Sequence, residues 1–131
     1  MIFLDTSAIY AWADAADANH ATAVRRLQAI LDAGEDLLTH NYVLVESIAL
    51  LQARLGLAAA TKLAKDSTAF VIEWVDDELH ASGVRELEKS KKRHVSLVDH
   101  ISFLVMRRRR IATAFAFDPD FASAGFGLIG R

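Results

Sequence analysis

Four short runs of strand-forming residues, at 2–4, 37–39, 70–75 and 111–117, are separated by stretches too long for hairpins and patterned for helices. Antiparallel neighbours need only a tight turn, whereas parallel ones need a crossover of about a dozen residues or more. The chain supplies such crossovers every time. An Ala-rich stretch from Ser7 to about Leu31 reads as two helices broken near Asp17–Asn19, with Gly34 as the stop. NYVLVESIALLQARLG gives a helix from Asn41 that ends at Gly56, and LAAATKLAKD gives another. Two more are expected from Asp76 to about Ser90 and from Ser96 to about Arg109, the latter carrying apolar Leu97, Val98, Ile101, Leu104 and Val105. FVIEWV, rich in β-branched and aromatic residues, is the third strand, and FGLIG at the C-terminus adds a fifth at one edge. The expected fold is α/β: a mainly parallel sheet of four to five strands, covered on both faces in a three-layer α/β/α sandwich.

With 131 residues, 53% of them hydrophobic, the chain can bury one core. One Pro, six Gly and no linker-like stretch give no internal boundary, so a single domain over residues 1–131 is expected. The absence of Cys removes disulfides, thiolate metal sites and cysteine nucleophiles, and fits a reducing cytoplasmic setting. MIFLD has no basic leader, and Glu46, Gln52 and Asp99 interrupt the apolar runs before membrane-spanning length, so a soluble protein away from the membrane is expected.

In an open parallel sheet, ligands bind outside the carboxyl ends of the strands. Asp5 and Asp118 each close a strand and fall on that rim. Glu46 and Asp99 sit on helices that begin near it. Three of these acids have plain structural explanations. Asp5 suits the N-cap of the first helix, Asp99 completes the capping-box pattern Ser96-x-x-Asp99, and Asp118 before Pro119 suits a turn. Glu46 is harder to explain this way. A helical wheel places it among Tyr42, Val43, Ala49, Leu50 and Ala53, an apolar arc where an unpaired charge is expensive, although an ion pair with Arg54 or the 107–110 arginines is open to it.

If the four converge within about 5 Å, each pair repels by roughly 3 kcal/mol at an effective dielectric of 20. Raised pKa values or a multivalent cation must then relieve the repulsion, and an all-oxygen ligand set selects Mg²⁺ or Mn²⁺ over Zn²⁺. Carboxylate-held divalent ions activate water for in-line attack on phosphodiesters, which makes hydrolysis of such a bond the leading chemistry.

LDTSA, NYVLVES, SLVDHISF and AFAFDPDFASAGF resemble, in order and spacing, the motifs of PIN-domain nucleases, and in particular of VapC-type toxins of toxin–antitoxin pairs. The match runs from residue 2 to about 128. The resemblance implies a metal-dependent endoribonuclease with an acidic cluster of Asp5, Glu46, Asp99 and Asp118, with Asp5 and Asp99 as direct metal ligands. It implies that Thr6 or Ser7 supplies a hydroxyl orienting the first acid or a water, and that Asp118 rather than Asp120 is functional. It also implies an RNA substrate, a cognate antitoxin and a homodimer; the apolar residues of the first two helices, Tyr10 and Trp12 included, suit a surface for either protein contact and suit the core equally.

Two other classes stay open. Asp5 could be the nucleophile of an aspartyl-phosphate phosphotransferase or phosphatase, but such sites usually place a second acid two residues on, where Ser7 stands. The acidic rim could instead be a non-catalytic module that docks a basic tail. Net charge is −2, from 15 basic and 17 acidic residues, yet the bases cluster in KSKKRH (89–94) and RRRR (107–110). Either cluster could touch phosphates, and the arginines equally suit the C-terminus of a helix. The five His show no zinc-ligand spacing, and His100 is expected to be incidental to Asp99.

Overall fold

The computed structural model describes residues 1–130. Strands β1 (Ile2–Leu4), β2 (Leu37–His40), β3 (Val71–Glu73), β4 (Thr113–Phe115) and β5 (Gly127–Ile129) form one sheet in the order β3-β2-β1-β4-β5. All four neighbouring pairs are parallel. Helices α1 (Thr6–Ala13) and α2 (His20–Asp32) connect β1 to β2. Helices α3 (Asn41–Leu55) and α4 (Leu57–Asp66), with a 3₁₀ turn at Ser67–Ala69, connect β2 to β3. The chain then crosses back over β2 and β1 through α5 (Asp77–Lys89) and α6 (Leu97–Arg109) to β4, and α7 (Asp120–Ser123) leads to β5.

α1 packs on α2 and α3, α3 packs on α4, and α5 packs on α6. The direction of travel reverses after β3, so right-handed crossovers put α1 to α4 on one face and α5 to α7 on the other. The expected three-layer sandwich results. β1 is central and buried along its whole length, as expected of a strand covered on both faces. Around it Phe3, Leu38, Ile101, Phe115 and Phe121 form the core, each at most 1% exposed and each contributing roughly 1.5–3 kcal/mol of transfer free energy.

The third strand is shorter than FVIEWV suggests. Phe70 closes the 3₁₀ turn, Trp74 is 70% exposed, and the Val75 N–H donates to Asn41 Oδ1, leaving the ladder. β3 is an edge strand, and only one neighbour was available to extend it. β4 likewise covers only part of 111–117: the Ala116 N–H still donates to the Ile129 carbonyl of β5, but the Phe117 N–H turns to Ser7 Oγ at the site. On the far side, α5 and α6 touch at Gly83, where a Cβ would come within 2.3 Å of Ile101 Cδ1. No described helix is long and apolar enough to cross a membrane.

The order fixes where a ligand can sit. β1 leads away to β2 on one side, while its other neighbour, β4, leads to β5. This reversal is the switch point of an open parallel sheet, and the crevice lies beyond the C-terminal ends of β1 and β4. Asp5 and Asp118 follow those two ends.

Candidate active site

Asp5 caps α1: its Oδ2 accepts from the Ser7 N–H at 3.1 Å and from the Ser7 hydroxyl at 2.6 Å. The Ser7 oxygen in turn accepts from the Phe117 N–H at 2.9 Å, and the Asp5 N–H donates to the Phe115 carbonyl. One serine therefore ties the end of β1 to the end of β4. Of the two hydroxyls, Ser7 is the one on Asp5; Thr6 instead accepts from Ser47 on α3 at 3.3 Å.

Asp99 does form a capping box with Ser96, accepting from its N–H at Oδ2 while the Asp99 N–H donates to Ser96 Oγ. Asp118 accepts the Asp120 N–H at Oδ1, 2.9 Å away. All three structural readings of these acids are thus correct. Each, however, occupies only one carboxylate oxygen, and among the described residues the other has no protein donor. Capping holds the side chain still and leaves an oxygen available.

Asp99, Asp118 and Asp120 bring a carboxylate oxygen each to within 4.8 Å of one another. Asp120 was not expected here. Pro119 sits at φ −67°, ψ −13° and starts the short α7, which curls Asp120 back beside Asp118. Asp120 also faces His94, whose Nε2 lies 3.0 Å from its Oδ1, and is the more shielded of the two. Asp5 and Glu46 lie outside this closest trio, yet their charges bear on it: Asp99 and Asp118 act on Asp5, and Glu46 acts on Asp99.

Glu46 corrects one expectation. It is exposed, as are Val45 and Ala49, so no apolar arc covers it. The buried face of α3 is Val43, Leu44, Ser47 and Leu51, and Glu46 lies roughly a third of a turn from its centre. The wheel ranked neighbours by hydrophobicity and could not tell which apolar positions meet the sheet.

Burial drives the electrostatics. Asp5, 4% exposed, has its carboxyl pushed up to about 6, first by desolvation, against the lowering effect of Ser7, and then by Asp99 and Asp118. Desolvation also raises Asp99, reinforced by Asp118 and Glu46, and raises Asp118, reinforced by Asp120. At 4.8 Å and an effective dielectric of 20, each ionised pair of the trio repels by about 3 kcal/mol. Such a cluster favours protonation or a bound cation, and three carboxylate oxygens in one place are donors suited to a hard divalent ion.

Sequence patterns also missed His40. It ends β2, is fully buried, and accepts the Val43 N–H at Nδ1, so its Nε2–H donates to Ser102 Oγ at 2.9 Å; that hydroxyl donates to the Val98 carbonyl. Burial holds this imidazole neutral, lowering it to about 4. The bond joins the start of α3 to α6 one turn beyond Asp99. His100 packs edge-on against Phe103, and its buried Nε2 has no hydrogen-bond partner.

A family model for the PIN domain matches residues 2–127. The 23S rRNA-specific endonuclease VapC20 of Mycobacterium tuberculosis, from strains CDC 1551 and H37Rv, is 41% identical over 128 residues, which cover 96% of this chain and 95% of the relative. The crystal structure of Mycobacterium tuberculosis VapC20, described as a sarcin–ricin loop cleaving toxin, matches with a TM-score of 0.84 at 40% identity, over 96% of each chain. A parallel sheet in the order 3-2-1-4-5, acids gathered at its switch point, and identity at this level over nearly the whole length lead to one conclusion: the chain belongs to the PIN-domain nuclease family, among its VapC-type toxins.

Proposed function

We propose that the chain is a single nuclease domain, a divalent-metal-dependent endoribonuclease whose substrate is the sarcin–ricin loop of 23S rRNA. The observation that carries this reading is the trio of carboxylate oxygens from Asp99, Asp118 and Asp120 within 4.8 Å of one another at the sheet's switch point. The substrate is taken from the relative at 41% identity, named for 23S rRNA, and from the VapC20 crystal structure described as that of a sarcin–ricin loop cleaving toxin.

The donor set fits Mg²⁺ or Mn²⁺: every candidate ligand is a carboxylate oxygen, and no cysteine is present. Asp99, Asp118 and Asp120 would hold the ion, with Asp5 and Glu46 adding negative charge around it. A divalent ion in such a place supplies positive charge to the scissile phosphate and acidifies water for in-line attack. The chain's own contribution is positional. Ser7 fixes Asp5, Ser96 fixes Asp99, and the turn at Pro119 fixes Asp118 and Asp120, so these four carboxylates need no ordering when substrate arrives. Without a cation, burial and the neighbouring acids raise the Asp5 carboxyl to about 6, and a divalent ion in the cluster would favour its ionised form.

As a VapC-type toxin the chain has a cognate antitoxin as partner, forms a homodimer and works in the cytoplasm. An apolar groove of about 490 Å³ between α1, α2, α4 and the sheet, lined by Leu4, Ile9, Trp12, Leu27, Leu63 and Phe70, supports the antitoxin contact.

The test is incubation of a synthetic sarcin–ricin stem-loop with the purified protein in Mg²⁺, Mn²⁺ or EDTA. Cutting is expected with either ion, is abolished by EDTA, and falls at least a hundredfold in Asp5→Ala and Asp99→Ala. Equal cutting by those folded variants would overturn the reading.

A further inference from the structure

We infer that the turn at Lys91–His94 is the RNA-backbone clamp of this site, and that the arginines at 107–110 are not. The inference rests on the endoribonuclease reading above and assigns the contact surface that reading needs.

A rim carrying Asp5, Glu46, Asp99, Asp118 and Asp120 repels a polyanion. Two positive charges from a divalent ion leave that rim negative, so fixed cations must stand beside it. The structure offers two basic segments and separates them by position. The first is pinned at the site: the His94 imidazole reaches Asp120, one of the three closest carboxylates, at 3.0 Å, with its own side chain 68% exposed and that of Asp120 only 12%. The segment is also a built turn. The Lys92 N–H donates to Ser90 Oγ, the Val95 N–H donates to the Lys92 carbonyl at 3.1 Å, and Val95 is buried in the core, 4% exposed. Lys91, Lys92 and Arg93 sit on this anchored turn, all exposed, and among the described residues none is in a salt bridge. Three cations outside any described salt bridge are thus held on the turn that reaches Asp120.

In the second segment two of the four side chains are otherwise engaged. Arg107 lies over the rings of Phe103 and Phe126, and Arg109 donates to Glu73 at 2.9 Å. Arg110 is the left-handed C-cap of α6. At 1.5 Å per residue these side chains start about 12–16 Å along the helix from Asp99. Cations at that end suit the helix dipole and leave the rim uncovered.

Backbone clamps bind charge, so their loss weakens every RNA alike and flattens the salt dependence. The experiment is steady-state cleavage of the sarcin–ricin stem-loop in Mg²⁺ over a salt series. It compares wild type, Lys91→Ala/Lys92→Ala/Arg93→Ala, the charge-conserving Lys91→Arg/Lys92→Arg, and Arg25→Ala/Arg26→Ala/Arg108→Ala, which changes net charge equally at other exposed positions. The turn variant is expected to raise KM about tenfold or more with kcat within about twofold, and to make the slope of log kcat/KM against log salt shallower by about 2, from three contacts at roughly 0.7 each. The arginine-conserving variant keeps the wild-type slope, and so does the remote variant. A turn variant with wild-type KM and slope, or a remote variant that loses as much, overturns the inference while leaving the nuclease reading intact. A wild-type protein that neither binds nor cuts the stem-loop overturns both.

Discussion

Replacing Asp5 by Asn should stabilise the protein in the absence of metal, and the size of the effect follows from burial. The Asp5 side chain is 4% exposed and its carboxyl titrates at about 6, against an ordinary value of 3.8. A folded-state pKa above the unfolded one means that the folded protein holds this proton more tightly, so ionisation costs folding free energy. The cost is absent below about pH 4, grows as pH rises from about 4 to 6, and is complete above that, where two pK units correspond to about 3 kcal/mol. Asn has nearly the same shape, and its Oδ1 can accept both Ser7 hydrogen bonds, but it carries no charge. In EDTA at pH 8 the variant should therefore melt up to about 10 °C above wild type, and at pH 3.5 the two should coincide. Mg²⁺ should then raise both proteins, and the wild type more, by about 2.7 kcal/mol at a hundred times its dissociation constant, because the variant keeps the Asp99, Asp118 and Asp120 carboxylates but lacks the Asp5 charge beside them; the gap narrows. Thermal melts followed by circular dichroism across pH 3.5–8, with and without Mg²⁺, measure all three effects. A variant less stable than wild type at pH 8 in EDTA, or a difference independent of pH, would refute the assignment of Asp5 as a carboxylate strained by burial.

Two further outcomes test the scaffold behind the site. Ser102→Ala leaves the buried Nε2–H of His40 without an acceptor, so it should cost about 1–3 kcal/mol in urea unfolding, and by loosening α6 against β2 it should lower kcat with little change in KM. Gly83→Ala drives a methyl group to 2.3 Å from Ile101 Cδ1 and should cost about 1–3 kcal/mol; adding Ile101→Val removes that atom and should recover most of the loss in a double-mutant cycle.

The fold was legible because its signals are local and periodic. Buried strands such as Ile2–Leu4 read as unbroken apolar runs, and the helical stretches between them forced parallel pairing. The ends of β3 were not legible: whether Trp74 and Val75 pair depends on a neighbour across the sheet, and β3 has only β2. At the site, Asp5, Asp99 and Asp118 were marked by their places at strand ends and caps. Glu46 was singled out for a burial that it lacks, because composition around a wheel does not say which arc faces the sheet. The family resemblance favours Asp118 over Asp120, and only the curl of the four-residue α7 returns the Asp120 carboxylate to Asp118. His40 gave no signal at all. Its partner Ser102 lies 62 residues away, and no local pattern announces a hydrogen bond of that range. A cap engages one oxygen of each of these carboxylates and leaves the other open, so capping does not rule out holding a cation.

The central claim, that carboxylates at the switch point hold a cation for attack by water, is tested most directly by the chemistry of the cut ends. The sarcin–ricin stem-loop, cleaved by the wild-type protein in Mg²⁺ or Mn²⁺ and resolved by mass spectrometry, should yield one terminal phosphate and one free hydroxyl at the break, with no 2′,3′-cyclic phosphate. Cyclic phosphate ends would mean that the RNA's own 2′-hydroxyl attacks, and cutting that persists in EDTA would mean that no metal is needed; either result would contradict the account.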